Sequence, residues 1–167
     1  MVQMTDYRKY YIAYGSNLSL PQMNNRCPDS VPIGTAAIKD YELVFRYHAT
    51  IEPNKGSSVP VVIWAISDLD ERRLDRYEGF PQYYRKEYMT VSMVEFRTHK
   101  RVMVRAMVYI MNDGHSPITP PSGDYYNVIA EGYEHFKLND RILRKALDES
   151  IYQHILQEEQ YKYEIGR

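Results

Sequence analysis

Residues 10–18 read YYIAYGSNL, and this stretch starts the fold with a strand that runs into a tight loop. The segment Tyr10 to Tyr14 is rich in aromatic and β-prone residues, which is typical of a strand. Gly15 stops the strand, and polar residues follow it. Ser19 can then cap a short helix through Met23. The stretch therefore predicts a strand, a loop and a helix start in immediate succession.

The rest of the chain predicts more strands and more helices. Expected strands are Ile33 to Tyr47 (a bent strand or a hairpin), Val59 to Ile66 with Pro60 at its start, Tyr83 to Phe96, and Val102 to Met111. Turns are expected at 53–56 and 112–114. Expected helices are Leu69 to Tyr77 after the cap Ser67, one after Ser122, and one after Asn139 or Asp140, with the apolar face Ile142, Leu143, Ala146, Leu147, Ile151 and Ile155. Most strands precede most helices, which indicates an α+β domain on a strongly curved sheet or small barrel, with helices packed outside.

Composition excludes several classes of protein. A chain of 167 residues suggests a single domain, 1–167. The net charge of -1 and the lack of a basic stripe argue against a nucleic-acid partner. No stretch approaches the roughly 18 apolar residues of a membrane span, and the polar segment Met1 to Tyr10 has no signal-peptide core. The single cysteine, Cys27, rules out an internal disulfide and fits a reducing compartment, so we expect a cytoplasmic protein.

Neither a metal nor a cofactor is expected. The five histidines show no metal-ligand spacing with each other or with Cys27. The chain also lacks the glycine fingerprints of nucleotide-binding loops and the Gly-x-Ser-x-Gly motif of α/β-hydrolases. The histidines are His48, His99, His115, His135 and His154.

The loop after the first strand is a candidate binding site. Gly15 allows a sharp turn and a close approach of a ligand to the main chain. Successive backbone N–H groups in such a turn can bind an anion or a developing oxyanion, and Asn17 adds side-chain donors. The alternative is an ordinary loop in which Ser16 or Asn17 is a helix cap.

Glu78 is a candidate acid–base residue. It lies in the segment LDRYEGF, residues 74–80, at a predicted helix C-terminus where the helix dipole disfavours an anion. Partial burial by Tyr77 and Phe80 would raise its pKa, which suits general acid–base catalysis near neutral pH. The alternative is an exposed surface glutamate.

These segments together resemble the γ-glutamylcyclotransferase-like family, which includes the plant avirulence-induced-gene-like proteins. The resemblance extends from about Tyr10 to Phe136 and rests on three motifs in order. They are Tyr14-Gly15-Ser16-Asn17-Leu18 after a strand, Leu74-Asp75-x-Tyr77-Glu78-Gly79 followed by Tyr84-Arg85, and Pro121-Ser122-x-x-Tyr125-x-x-Val128-Ile129-x-x-Gly132. It implies a small mixed β-barrel with flanking α-helices.

The resemblance also implies a set of site residues. Glu78 matches the family's catalytic glutamate. The implied substrate-binding residues are Tyr14, Gly15, Ser16, Asn17, Leu18, Tyr84 and Tyr125. Tyr83 and Tyr126 could match the family's tyrosine positions in place of Tyr84 and Tyr125. Many relatives carry a glycine where this chain has Val61 or Val62, which puts the exact substrate in doubt more than the fold.

The chemistry implied by the resemblance is the release of 5-oxoproline from a γ-glutamyl amide by attack of its own α-amine, without a metal or cofactor. The substrate could be a γ-glutamyl-amino acid, a γ-glutamylamine, glutathione or a biosynthetic γ-glutamyl group; Asn17 argues weakly against glutathione. A catalytically silent module that binds a small metabolite is the alternative. The implied partner is a small molecule, with no nucleic acid and no membrane, and a homodimer is left open.

Overall fold

A computed structural model describes residues 8–113 and 116–166, and its strands close into one barrel. The strands are β1 (Lys9–Ala13), β2 (Val31–Arg46), β3 (His48–Ile66), β4 (Tyr84–Glu95) and β5 (Arg101–Met111). Their order around the barrel is β1-β3-β2-β4-β5. Neighbouring strands are antiparallel except β1 and β5, which pair in parallel at Tyr11 and Met107 and close the barrel. The expected α+β barrel is confirmed.

The second half of β3 is the centre of the core. From Val59 to Ile66 every residue except Pro60 is buried, as expected for a strand covered on both faces. Pro60 was expected at the strand's start, but β3 begins at His48 and Pro60 lies inside it. Because β1 pairs with β3 only from Val62 to Ile66, Pro60 lies beyond the end of the β1–β3 ladder, on a stretch of β3 that pairs with β2.

The turn predicted at 53–56 is wrong: these residues lie inside β3. The chain reverses instead at Tyr47, which has a φ of 68° between the paired residues Arg46 and His48. The turn-type residues at Gly56 (φ 87°) and Asp40 (φ 61°) form an irregularity in the β2–β3 ladder. There the Asp40 carboxylate accepts a hydrogen bond of 3.0 Å from the Gly56 N–H. The strand predicted over 33–47 is accordingly one bent strand.

Helices surround the barrel and begin at the predicted caps. They are α1 (Leu20–Arg26), α2 (Asp68–Glu78), α3 (Gly123–His135) and α4 (Asp140–Ile165), with caps at Ser19, Ser67, Ser122 and Asn139. The predicted cap Ser67 forms a capping box with Asp70, and Gly79 ends α2 with a left-handed φ of 64°. The end of α2 is thus fixed by local sequence, which sets the position of its last residue, Glu78.

The predicted apolar face of α4 is only partly correct. Leu143 and Ala146 are buried, whereas Ile151 and Ile155 are 41% and 48% exposed because the helix runs past the barrel. The polar segment before residue 8, the tip of the turn predicted at 112–114 and His115 lie outside the described residues. No helix in the described ranges combines the length and the hydropathy that a membrane span needs.

Candidate active site

A cavity of about 790 Å³ opens where three parts of the chain meet. They are the loop after β1, which contains a short 3₁₀ turn at Ser16–Leu18, the C-terminal turn of α2, and the β2–β3 hairpin. Its lining includes Tyr14, Gly15, Ser16, Asn17, Glu78, Tyr84 and Tyr125. Seven of the eight residues predicted for the site therefore lie around one cavity.

Leu18 is the exception. Its side chain is fully buried and packs on α3, where a Cβ added to Gly132 would lie only 2.5 Å from the Leu18 Cβ. Its N–H donates a hydrogen bond of 3.0 Å to the Gly15 carbonyl and is not free for a ligand. Leu18 is therefore an anchor of the loop rather than part of the cavity lining.

Hydrogen bonds hold the rest of the loop on the barrel. The Tyr14 hydroxyl donates to the Tyr109 carbonyl at 2.5 Å, and the Asn17 side-chain amide donates to the Tyr11 hydroxyl at 3.0 Å. Asn17 is thus committed to the scaffold. Among the described residues, no hydrogen bond engages the backbone N–H groups of Ser16 and Asn17, which leaves two donors of the kind that an oxyanion needs.

Glu78 is the last residue of α2, and its half-buried carboxyl group lines the cavity. Burial raises its pKa from 4.5 to about 7, and the Arg26 guanidinium partly opposes this shift. No hydrogen bond to the carboxylate is present within the described ranges. This environment, and not an exposed surface position, is the one expected of a general acid–base.

The two predicted tyrosines bind the main chain of one residue. The Tyr84 hydroxyl donates to the Ala49 carbonyl at 2.9 Å, and the Tyr125 hydroxyl accepts from the Ala49 N–H at 3.0 Å. Of the rivals, Tyr126 packs beside Phe45 outside the cavity, with ring centroids 6.2 Å apart. Tyr83 lines the cavity but is 73% exposed. The geometry thus favours Tyr84 over Tyr83 and Tyr125 over Tyr126 as the tyrosines of the site.

Other residues around the cavity were not predicted. Tyr109 lines it and donates a hydrogen bond of 2.5 Å to Asp75, which also pairs with Lys86 at 2.8 Å. Tyr77 lines it beside Glu78, and its ring carries the guanidinium of Arg26. Asp75 and Tyr77 belong to the motif at residues 74–79, which was the only sequence feature that pointed to them. No sequence feature pointed to Arg26.

His48 is the one histidine in the described part of the cavity wall. Its ring packs edge-on against Tyr125, with centroids 5.3 Å apart, and burial lowers its pKa. Across the described ranges, His, Cys, Asp and Glu nowhere form a group of three that could hold a metal ion.

Removing the hydroxyl of Tyr84 or Tyr125 should affect both turnover and stability. Because each hydroxyl satisfies a backbone group of the buried Ala49, we expect each change to cost about 1–3 kcal/mol of unfolding free energy. Urea unfolding together with steady-state kinetics measures both effects. Tyr126→Phe is the matched control, and equal effects from all three variants would contradict the assignment.

The raised pKa of Glu78 predicts a pH-dependent stability. Its folded pKa of about 7 exceeds its ordinary value of 4.5, so the contribution of Glu78 to stability falls as the pH rises through this window. Glu78→Gln lacks this titration. Its unfolding free energy, relative to that of the wild type, should therefore increase by about 3 kcal/mol from pH 4 to pH 8. Urea unfolding of both proteins at the two pH values checks this. A stability difference that is the same at both values would show that Glu78 titrates normally.

The chain matches known proteins in both sequence and structure. Residues 11–127 match the family model described as gamma-glutamyl cyclotransferase, AIG2-like. Curated relatives named gamma-glutamylcyclotransferase, from Bos taurus and Mus musculus, are 32% and 31% identical over 135 residues, which covers 73% of this chain and 68% of each relative.

Solved structures agree with this match at the level of the fold. A structure titled gamma-glutamyl cyclotransferase superposes with a TM-score of 0.67 at 24% identity and covers 83% of this chain and 86% of its own. An AIG2-like protein from Mus musculus gives a TM-score of 0.54 at 19% identity, covering 66% and 80%. The chain therefore belongs to the gamma-glutamyl cyclotransferase, AIG2-like family and is a γ-glutamylcyclotransferase-like enzyme.

Proposed function

We propose that the enzyme releases 5-oxoproline from a γ-glutamyl amide, with Glu78 as general acid and base. The observation that carries this proposal is the Glu78 carboxyl group itself. It lines a cavity with two unengaged backbone N–H donors, it lacks a hydrogen-bond partner among the described residues, and its pKa lies near neutral. A structural carboxylate would be expected to have such a partner.

The proposed reaction needs one base, one acid and an oxyanion site. The Glu78 carboxylate takes a proton from the substrate's α-ammonium group. The free amine attacks the γ-carbonyl carbon, a C–N bond forms and a five-membered ring closes. The N–H groups of Ser16 and Asn17 stabilise the oxyanion. Protonated Glu78 then donates its proton to the leaving nitrogen, and the original amide bond breaks. The second proton of the former α-amine nitrogen also passes through Glu78 to the released amine, so that 5-oxoproline and an ammonium product leave with Glu78 ionised again.

The chemistry of the cavity wall favours one kind of amine half. Among the described lining residues Glu78 is the only acid, whereas Arg46 and Arg76 are cations. Arg46 is already paired with Glu52 at 2.8 Å, but the Arg76 side chain has no ion-pair partner in the part of the chain that the structure describes. A leaving group with a carboxylate, as in a γ-glutamyl-amino acid, should therefore be preferred over a neutral or purely cationic amine.

Incubation with a panel of γ-glutamyl compounds tests the proposal. The panel contains γ-glutamyl-amino acids, γ-glutamyl-alkylamines, an ε-lysine isopeptide and glutathione, and mass spectrometry follows 5-oxoproline. We expect product from the wild type, most from the γ-glutamyl-amino acids, and about 10²- to 10⁴-fold slower release from Glu78→Gln. No product from any compound, together with thermal stabilisation by one of them, would support the metabolite-binding alternative instead.

The other sequence-based expectations remain part of this proposal. They are activity without a metal or cofactor, a cytoplasmic location, and no nucleic-acid or membrane partner. Activity that survives dialysis against EDTA is the expected result for the first of them.

A further inference from the structure

Arg26, the last residue of α1, connects the two parts of the proposed site. Its guanidinium lies over the Tyr77 ring, with Cζ 3.2 Å from the ring centroid. The Nη1 atom donates hydrogen bonds to the Asn17 side-chain carbonyl and, at 3.2 Å, to Gln22. A planar guanidinium can stack and donate at the same time, which an ammonium group cannot.

A second contact closes the connection. The Tyr77 hydroxyl oxygen lies 3.2 Å from Ser16 Oγ. Asn17, Arg26, Tyr77 and Ser16 therefore form a closed ring of contacts between the loop after β1 and the last turn of α2. Ser16 and Asn17 offer the free N–H donors, and Glu78 directly follows Tyr77, so this ring spans the distance between oxyanion donors and base.

Arg26 also dominates the charge around Glu78. The titratable groups that act on or respond to Glu78 are Arg26 from α1, Tyr11 and Tyr14 from β1 and its loop, Tyr84 from β4, and Tyr125 from α3. Burial raises the pKa of all four tyrosines, so they are neutral at pH 7. Arg26 is then the charged group that favours the ionised carboxylate.

We propose that Arg26 is a positioning residue that holds the Gly15–Asn17 loop and the Glu78 end of α2 in the geometry needed for ring closure. The inference rests on the proposed function and adds a residue that is not part of the cavity lining. Loss of such alignment typically costs about 10- to 100-fold in rate, because the reacting groups must be held in a near-attack arrangement.

Two substitutions separate the planar contact from the charge. Arg26→Lys keeps the charge but loses the planar guanidinium that stacks on Tyr77 and donates to Asn17. We expect kcat to fall about 10- to 100-fold, with the pKa of Glu78 almost unchanged. Arg26→Met removes both, and the pKa of Glu78 should also rise, which moves the acid limb of the kcat/KM profile to higher pH. Carbon-13 NMR titration of the Glu78 carboxyl group reads this shift without any substrate.

Controls keep the inference separate from folding defects. Arg72→Met removes an exposed arginine from α2 and should change neither kcat nor the titration. Tyr77→Phe keeps the ring under Arg26 but breaks the contact with Ser16, so it tests the same connection if Arg26→Met does not fold. Melting temperatures identify variants that are merely less stable.

Two results would overturn the inference. One is wild-type kcat in Arg26→Lys and Tyr77→Phe. The other is a lower melting temperature of Arg26→Met with unchanged kcat and an unchanged Glu78 titration, which would make Arg26 a structural cap of α1. A wild type without 5-oxoproline release rejects the proposed function instead, and with it the role of Arg26 in ring closure.

Discussion

Glu78→Gln should lower the rate of 5-oxoproline release by about 10²- to 10⁴-fold. The substitution is nearly isosteric and removes only the group that accepts and returns the proton. Because the Glu78 carboxylate makes no hydrogen bond within the described ranges, the amide replaces it without breaking a contact. Steady-state kinetics on the best substrate of the panel measures the loss, and circular dichroism verifies that the fold is intact.

The control for this experiment is Glu131→Gln. Glu131 is exposed on α3, away from the cavity, so its loss of one negative charge should leave kcat unchanged. If Glu78→Gln keeps more than about a tenth of wild-type turnover, Glu78 is not the acid–base of the reaction.

Gly15→Val should reduce kcat/KM by about 10²-fold, the size expected when reacting groups are displaced by about an ångström. The sequence suggested that Gly15 is needed for a sharp turn, but its φ of -120° lies outside the left-handed region that favours glycine. We expect the loss of kcat/KM because a larger side chain at position 15 has too little space. A Cβ at position 15 would lie 3.4 Å from the Ala49 Cβ and 3.6 Å from the Tyr125 hydroxyl, so the two branches of valine would project into the region that the substrate needs.

Ser16→Ala is the matched change in the same loop. It removes only the 3.2 Å contact with Tyr77 and adds no volume, so its effect on kcat/KM should be much smaller than that of Gly15→Val. Equal and mild effects of the two substitutions would indicate an ordinary loop without a role in binding.

Local signals predicted the elements well. Capping residues such as Ser67 and Ser122 act within one helical turn, so the sequence alone located the helix starts. The reversal at Tyr47 was missed because its turn has no glycine, whereas Gly56, a strong turn signal, lies in a bulge. The parallel pairing of β1 with β5, which closes the barrel, joins strands from opposite ends of the sheet and has no local signature.

The site was predictable only where motif residues themselves line the cavity. Gly15 and Glu78 belong to recognisable motifs and lie where expected. Leu18 belongs to the same motif, but its side chain turns to Gly132 because the 3₁₀ turn directs it to α3. Arg26 and Ala49 act through tertiary contacts with residues far along the chain, and no pattern of residue types reveals such contacts.

At Ala49, a change of side chain can alter the size of the cavity without breaking the main-chain hydrogen bonds that hold the barrel. Tyr84 and Tyr125 hold the carbonyl and the N–H of this residue, and its side chain makes no part of either bond. A bulkier residue at position 49 would fill space beside Gly15 while both main-chain bonds stay intact. Related sequences could therefore evolve narrower pockets at this one position, and substitution there offers a way to change which substrates fit.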